Sequence, residues 1–124
     1  MRILLVDDEG EFVSALAERL IIRGIDTEWA TTSTDAIAKV RSRPFDIAVL
    51  DLKMPKTSGL ALKETLHKEA PDLKFIFLTG YGSENVFEEI LKQVGEDCCL
   101  VKPVEIDALI ERMNSILKGE RKSS

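Results

Sequence analysis

The stretch Met1 to Glu11, MRILLVDDEGE, decides the reading of this chain. An apolar run, Ile3 to Val6, ends abruptly at two adjacent carboxylates, Asp7 and Asp8, with Glu9 directly behind. Like charges set off the end of a buried strand repel one another, and each loses hydration. Either they cap the following helix or they form a seat for something positive. Asp8 with Glu11 has the spacing of a capping box, so the first reading is available locally.

The same kind of run recurs at Ile47 to Leu50, Phe75 to Leu78 and Cys98 to Val101, with a weaker one at Thr27 to Ala30 that holds Trp29. Runs apolar at every position suit strands buried on both faces of a parallel sheet. Helical patterns lie between them. Phe12, Leu16 and Leu20 repeat at helical spacing before Gly24. Thr34 is placed to cap a short helix through Val40 that ends before Pro44. Ser58 precedes a helix with Leu62 and Leu66 on one face, ended by Pro71. Ser83 caps a helix carrying Val86, Phe87, Ile90, Leu91 and Val94. Ile106, Leu109, Ile110, Met113, Ile116 and Leu117 form the clearest stripe. Five strand–helix units predict an α/β fold, a doubly wound, flavodoxin-like, five-stranded parallel sheet in the order 2-1-3-4-5 with helices on both faces. The domain is expected to span 1–118, with 119–124 a polar tail or the start of a linker.

The 124 residues are enough for one real core. With 44% hydrophobic and 31% charged residues the composition is that of a globular protein, neither disordered nor membrane-embedded. The apolar runs are too short to span a bilayer, and the N-terminus lacks the shape of a signal peptide. Cys98 and Cys99 are sequence neighbours, with no disulfide framework or zinc spacing, and are read as two buried thiols on opposite faces of a strand. A cytoplasmic location is expected. A net charge of -5 argues against nucleic acid as a direct partner. His67, the one histidine, reads as a surface residue. Trp29 reads as edge packing.

The groups that follow the central strands carry the chemistry. Asp7 and Asp8 follow the first, Asp51 ends the third, Thr79 ends the fourth, and Lys102-Pro103 follows the fifth. In the expected order the first and third strands are neighbours, about 4.8 Å apart, so the three acids crowd one pocket at the edge where such folds bind ligands. The ligand set is all oxygen, which suits Mg²⁺, with Mn²⁺ as an alternative. A lysine point charge and a hydroxyl add what a phosphoryl group needs. Taken singly, each residue has an ordinary reading as a cap, strand end or turn lysine. Four strand ends carrying complementary groups at one edge are hard to explain that way.

The segments ILLVDDE, DIAVLDLKMPKTSGL, FIFLTGYG and CLVKP, in that order, resemble the receiver domain of bacterial two-component response regulators over nearly the whole chain. The expected strand order rests partly on this resemblance. It implies that Asp51 is the phosphoacceptor and Asp8 a direct Mg²⁺ ligand. Asp7 would act largely through bound water, and the main-chain carbonyl of Lys53 would be a further metal ligand. Thr79 and Lys102 would bind the phosphoryl oxygens, and the Lys102–Pro103 bond would be cis. It further implies a sensor histidine kinase or histidine phosphotransfer protein as donor. The downstream target would be a protein or an output domain met through the last two helices and the last strand, with the domain a monomer or a phosphorylation-dependent dimer. Such a domain is a switch rather than an enzyme, limited to self-phosphorylation from small donors and self-dephosphorylation. One departure stands out: Cys99 lies where the family usually has Tyr or Phe, so no ring can swing there. Lys53 and Tyr81 occupy positions the resemblance links to phosphate lifetime. The alternative function is a Mg²⁺-dependent aspartyl-phosphate phosphatase of the haloacid dehalogenase type. Its D-x-D pattern fits poorly here, because the acids are adjacent.

Overall fold

The computed structural model describes residues 1–52, 59–80 and 99–119. Strands β1 (Arg2–Val6), β2 (Asp26–Ala30), β3 (Ile47–Asp51), β4 (Lys74–Thr79) and β5 (Cys99–Val101) form one parallel sheet in the order β2-β1-β3-β4-β5, as expected. Helices α1 (Gly10–Ile22), α2 (Ser33–Ser42), α3 (Gly59–Glu69) and α4 (Ile106–Leu117) cover its faces. Among the described residues no helix is long and apolar enough to cross a membrane.

The unbroken apolar runs follow from burial on both faces. Alternate residues of the central strands enter different cores. Leu4, Val6, Ala48, Leu50, Phe75 and Phe77 pack with Ala36 and Val40 of α2 and Leu62 and Leu66 of α3. Their neighbours Ile3, Leu5, Ile47, Val49, Ile76 and Leu78 pack with α1 and with Leu109 and Met113 of α4. Side chains alternate across a strand, so a strand covered on both sides must be apolar throughout.

Local signals set the helix ends, with two corrections. The cap of α2 is Thr32, whose hydroxyl accepts the Asp35 N–H at 3.1 Å; Thr34 lies inside the helix. The run Thr31 to Thr34 offers four hydroxyls, and the chain's path off β2 selects among them. Asp8 does not cap α1: Glu9 is the N-cap residue, without a side-chain cap bond. The chain leaves α1 through Gly24 at φ +82°, a left-handed conformation that glycine adopts freely. The buried stripe of α1 is Val13, Leu16, Ala17 and Leu20, and Phe12 is only half-buried at its margin. Leu117, expected in the stripe of α4, is 40% exposed, and Trp29 on edge strand β2 is 42% exposed. Cys99 is buried as expected. His67 lies on the surface of α3. Lys53, Ser58, Tyr81, Cys98 and the helix expected from Ser83 lie outside the described residues.

Candidate phosphoacceptor and metal site

The register brings the functional groups to one edge. Val6 pairs with Leu50 across β1 and β3, so Asp7 emerges beside Asp51, the last residue of β3. Thr79 ends β4 opposite Val101 of β5, and Lys102 follows immediately. The Lys102 N–H donates to the Thr79 carbonyl at 2.7 Å, which ties the two strand ends together. The Lys102–Pro103 bond is cis, as the resemblance implied.

Asp7, Asp8 and Asp51 each offer a carboxylate oxygen, all within 4.8 Å of one another. Asp7 and Asp51 are buried and Asp8 is exposed. Oxygens on an octahedral Mg²⁺ at about 2.1 Å are about 2.9 Å apart when adjacent and about 4.2 Å when opposed, so these side chains would have to close in to share one ion. The donors are hard oxygens with no soft ligand among them, and the set fits a divalent cation of the Mg²⁺ class. Asp8's side chain joins this cluster rather than the helix end, which explains the lost cap. Asp7 supplies a local bond instead, its Oδ1 accepting the Glu9 N–H at 2.9 Å.

Among the described residues, Lys102 brings positive charge to the site. Its Nζ donates to Asp7 Oδ2 at 2.7 Å, lies 3.3 Å from Glu9 Oε1 and 3.6 Å from Asp51 Oδ2, and sits over the Phe12 ring, 4.7 Å from its centroid. Burial pushes the Asp7 carboxyl above its ordinary value; the Lys102 hydrogen bond and charge and the Glu9 N–H offset this only in part. For Lys102 burial acts to lower the pKa, but the bond to Asp7, the charges of Asp7 and Asp51 and the bond to Glu9 outweigh it, and the proton is held more tightly than usual. Among the described residues, Lys102 thus faces more negative charge than one ammonium can neutralise.

Thr79 is buried, and its hydroxyl makes a long 3.5 Å bond to the Gly80 carbonyl. Such a bond is weak and easily exchanged. Gly59 fixes the other wall. Its N–H donates to the Leu52 carbonyl at 3.1 Å, and a Cβ at this position would lie 2.6 Å from the Asp51 carbonyl oxygen. Only a residue without a side chain lets α3 start this close to the end of β3.

All the acids, the threonine and the lysine singled out in the sequence lie at this edge; Lys53 falls outside the described residues. Glu9 and Phe12 were missed as neighbours of Lys102. Their signal was present, since Glu9 follows the acid pair and Phe12 lies one helical turn beyond Asp8.

Comparison with known proteins agrees with this geometry. The model of the response regulator receiver domain matches residues 3–114. The acid tolerance regulatory protein ActR of Rhizobium meliloti is 36% identical over 114 residues, which cover 89% of this chain and 58% of ActR. The chain therefore spans under two thirds of the length of that curated relative. A CheY-like receiver domain protein from Methanospirillum hungatei superposes with a TM-score of 0.82 at 34% identity, covering 95% of this chain and 94% of that one. A Burkholderia pseudomallei response regulator, solved with a phosphorylated aspartic acid, calcium ion and citrate, gives 0.78 at 26% identity, covering 95% and 71%. Nothing in these matches supports the haloacid dehalogenase alternative. With the fold, the strand-end acids and these relatives in agreement, the chain belongs to the response regulator receiver family, the phosphoacceptor switches of two-component signalling.

Proposed function

We propose that Asp51 accepts the phosphoryl group, that Asp7, Asp8, Asp51 and the Lys53 carbonyl hold Mg²⁺ (or Mn²⁺), and that Thr79 and Lys102 bind the phosphoryl oxygens. The observation that carries this reading is Lys102, held between Asp7 and Asp51 at the mouth of the three-acid cluster. The aspartate and calcium ion in the Burkholderia pseudomallei relative support it.

An Asp51 carboxylate oxygen attacks the donor phosphorus. The bond from phosphorus to the donor's imidazole nitrogen or acyl oxygen breaks, and the leaving atom keeps the electron pair. When bound by these acids, the cation would supply charge neutralisation for the carboxylates and the transferring oxygens. Lys102, 3.6 Å from Asp51, needs little movement to reach an oxygen carried on that side chain. Thr79 exchanges its long bond to Gly80 for one to the phosphoryl group.

The bond from the Lys102 N–H to the Thr79 carbonyl couples these movements, so β4 and β5 shift as a pair. The output surface is then the face of β5 and the last two helices, α4 and the helix expected from Ser83, turned to a protein target or output domain. The donor is a sensor histidine kinase or a histidine phosphotransfer protein, as membership of the receiver family implies. The receiver unit spans 1–118, works in the cytoplasm as a monomer or phosphorylation-dependent dimer, and touches neither nucleic acid nor membrane.

Acetyl phosphate with Mg²⁺, followed by intact-mass measurement, tests the chemistry. One phosphoryl group is expected on the wild type, none on Asp51→Asn, and none with a chelator. Full labelling of Asp51→Asn would remove the assignment.

A further inference from the structure

The Lys102 ammonium has four described neighbours, and they respond differently to a cation. Three are carboxylates, Asp7, Glu9 and Asp51. The fourth is the neutral face of Phe12. A divalent ion on the acid cluster takes up the charge of Asp7 and Asp51 and places its own positive charge near the ammonium. The lysine then loses two attractions and gains a repulsion. Glu9 is 65% exposed, so water weakens its pull. The attraction of a ring face for a cation does not depend on the acids, and it strengthens where water is excluded. Lys102 is only 18% exposed, and Phe12 packs against the core between α1 and the sheet, so the fold fixes the ring in place.

We propose that Phe12 is a positioning residue for phosphorylation: its ring keeps the Lys102 ammonium seated over the acid cluster once a cation is bound, directed at the incoming phosphoryl oxygens. The proposal rests on the reading of Asp51 as phosphoacceptor. It treats Phe12 as part of the site rather than as core alone, and it makes the lysine's seat depend on α1 as well as on β5.

Two measurements test it. The first needs no phosphorylation: the NMR shift of the Lys102 ε-methylene protons in the Mg²⁺-loaded wild type, assigned by their loss in Lys102→Met. Protons above a ring face move upfield. That displacement is expected with and without Mg²⁺, retained in Phe12→Tyr and lost in Phe12→Leu. Lys102 protons at ordinary positions in the Mg²⁺-loaded wild type overturn the proposal. The second is the rate of acetyl phosphate labelling at saturating Mg²⁺. Phe12→Leu, which keeps apolar bulk without a ring, should be slowed about three- to tenfold, and Phe12→Tyr should stay within about twofold of wild type. A wild-type rate for Phe12→Leu, or equal slowing in both variants, counts against the ring. Failure of the wild type to label at all would strike the Asp51 assignment instead, and the NMR shift would still decide the role of Phe12.

Discussion

The two ends of this sheet both carry charge, and they handle it in opposite ways. At the amino ends, Arg2 pairs with Asp26 at 2.9 Å and its backbone N–H donates to Asp46 at 2.7 Å; Met1, Gly24 and Pro44 complete a shallow, solvent-facing hollow. These charges face solvent, where water shares in their compensation. At the carboxyl ends, Asp7 and Asp51 are buried together, Asp8 joins them, and among the described residues Lys102 reaches Asp7 and Asp51. The difference teaches that charge at the end of a strand is not a sign of function. Like charges buried side by side are a stronger sign, because their repulsion and lost hydration cost stability unless a ligand completes them.

The largest expected effect tests that contrast directly. A cation that binds the native acid cluster and not the unfolded chain adds about 2.7 kcal/mol of stability at a hundredfold excess over its dissociation constant. Denaturant unfolding with and without Mg²⁺ measures it. Asp8→Ala should weaken Mg²⁺ about tenfold or more, whereas Asp46→Ala at the other end should leave the Mg²⁺ increment unchanged. Equal losses in both variants would erase the distinction between the two ends.

Next in size is Gly59→Ala. The added methyl meets the Asp51 carbonyl oxygen, so β3 or α3 must shift, at about 1–3 kcal/mol. A melting temperature equal to wild type would mean that the site's wall is softer than its geometry.

Relief of repulsion comes third. Asp51→Asn should stabilise the metal-free protein by about 1 kcal/mol and lose most of the Mg²⁺ increment. The pH dependence has the same origin. Asp7's folded pKa is raised above its ordinary 3.8, so the native state holds that proton more tightly than the unfolded chain does. Its contribution is fully present below the ordinary value and is lost as pH rises through the folded one. Asp7→Asn should flatten that acid-side decline in the metal-free protein. An unchanged profile would assign the decline to other groups.

The smallest effect belongs to the amino end. Asp26→Asn breaks an exposed ion pair with Arg2 and should cost less than about 1 kcal/mol, diminishing in high salt.

Much of the site was legible in the sequence because strand ends are determined by topology. Right-handed crossovers leave few strand orders, and once β1 neighbours β3, Asp7 and Asp51 must meet. Helix starts were less legible. Asp8 has good local capping chemistry, but its carboxylate belongs to the acid cluster. The choice of Thr32 over Thr34 is likewise made by where β2 delivers the chain.

The sequence, with the resemblance it carries, made the layering and the candidate site legible. Apolar runs of four residues set between helical patterns suit strands covered on both faces, and in such a sheet the groups placed just beyond them share one edge. The tertiary structure alone decided what the lysine touches. Lys102 and Glu9 are 93 positions apart, and no local pattern links them. Their contact, and that of Lys102 with Phe12, depends on how α1 lies across the sheet beside the end of β5. That placement comes from burial of Val13, Leu16, Ala17 and Leu20, residues that carry none of the site's chemistry. Packing is non-directional and acts over the whole helix, so it sets the angle at which α1 presents Phe12 to the lysine.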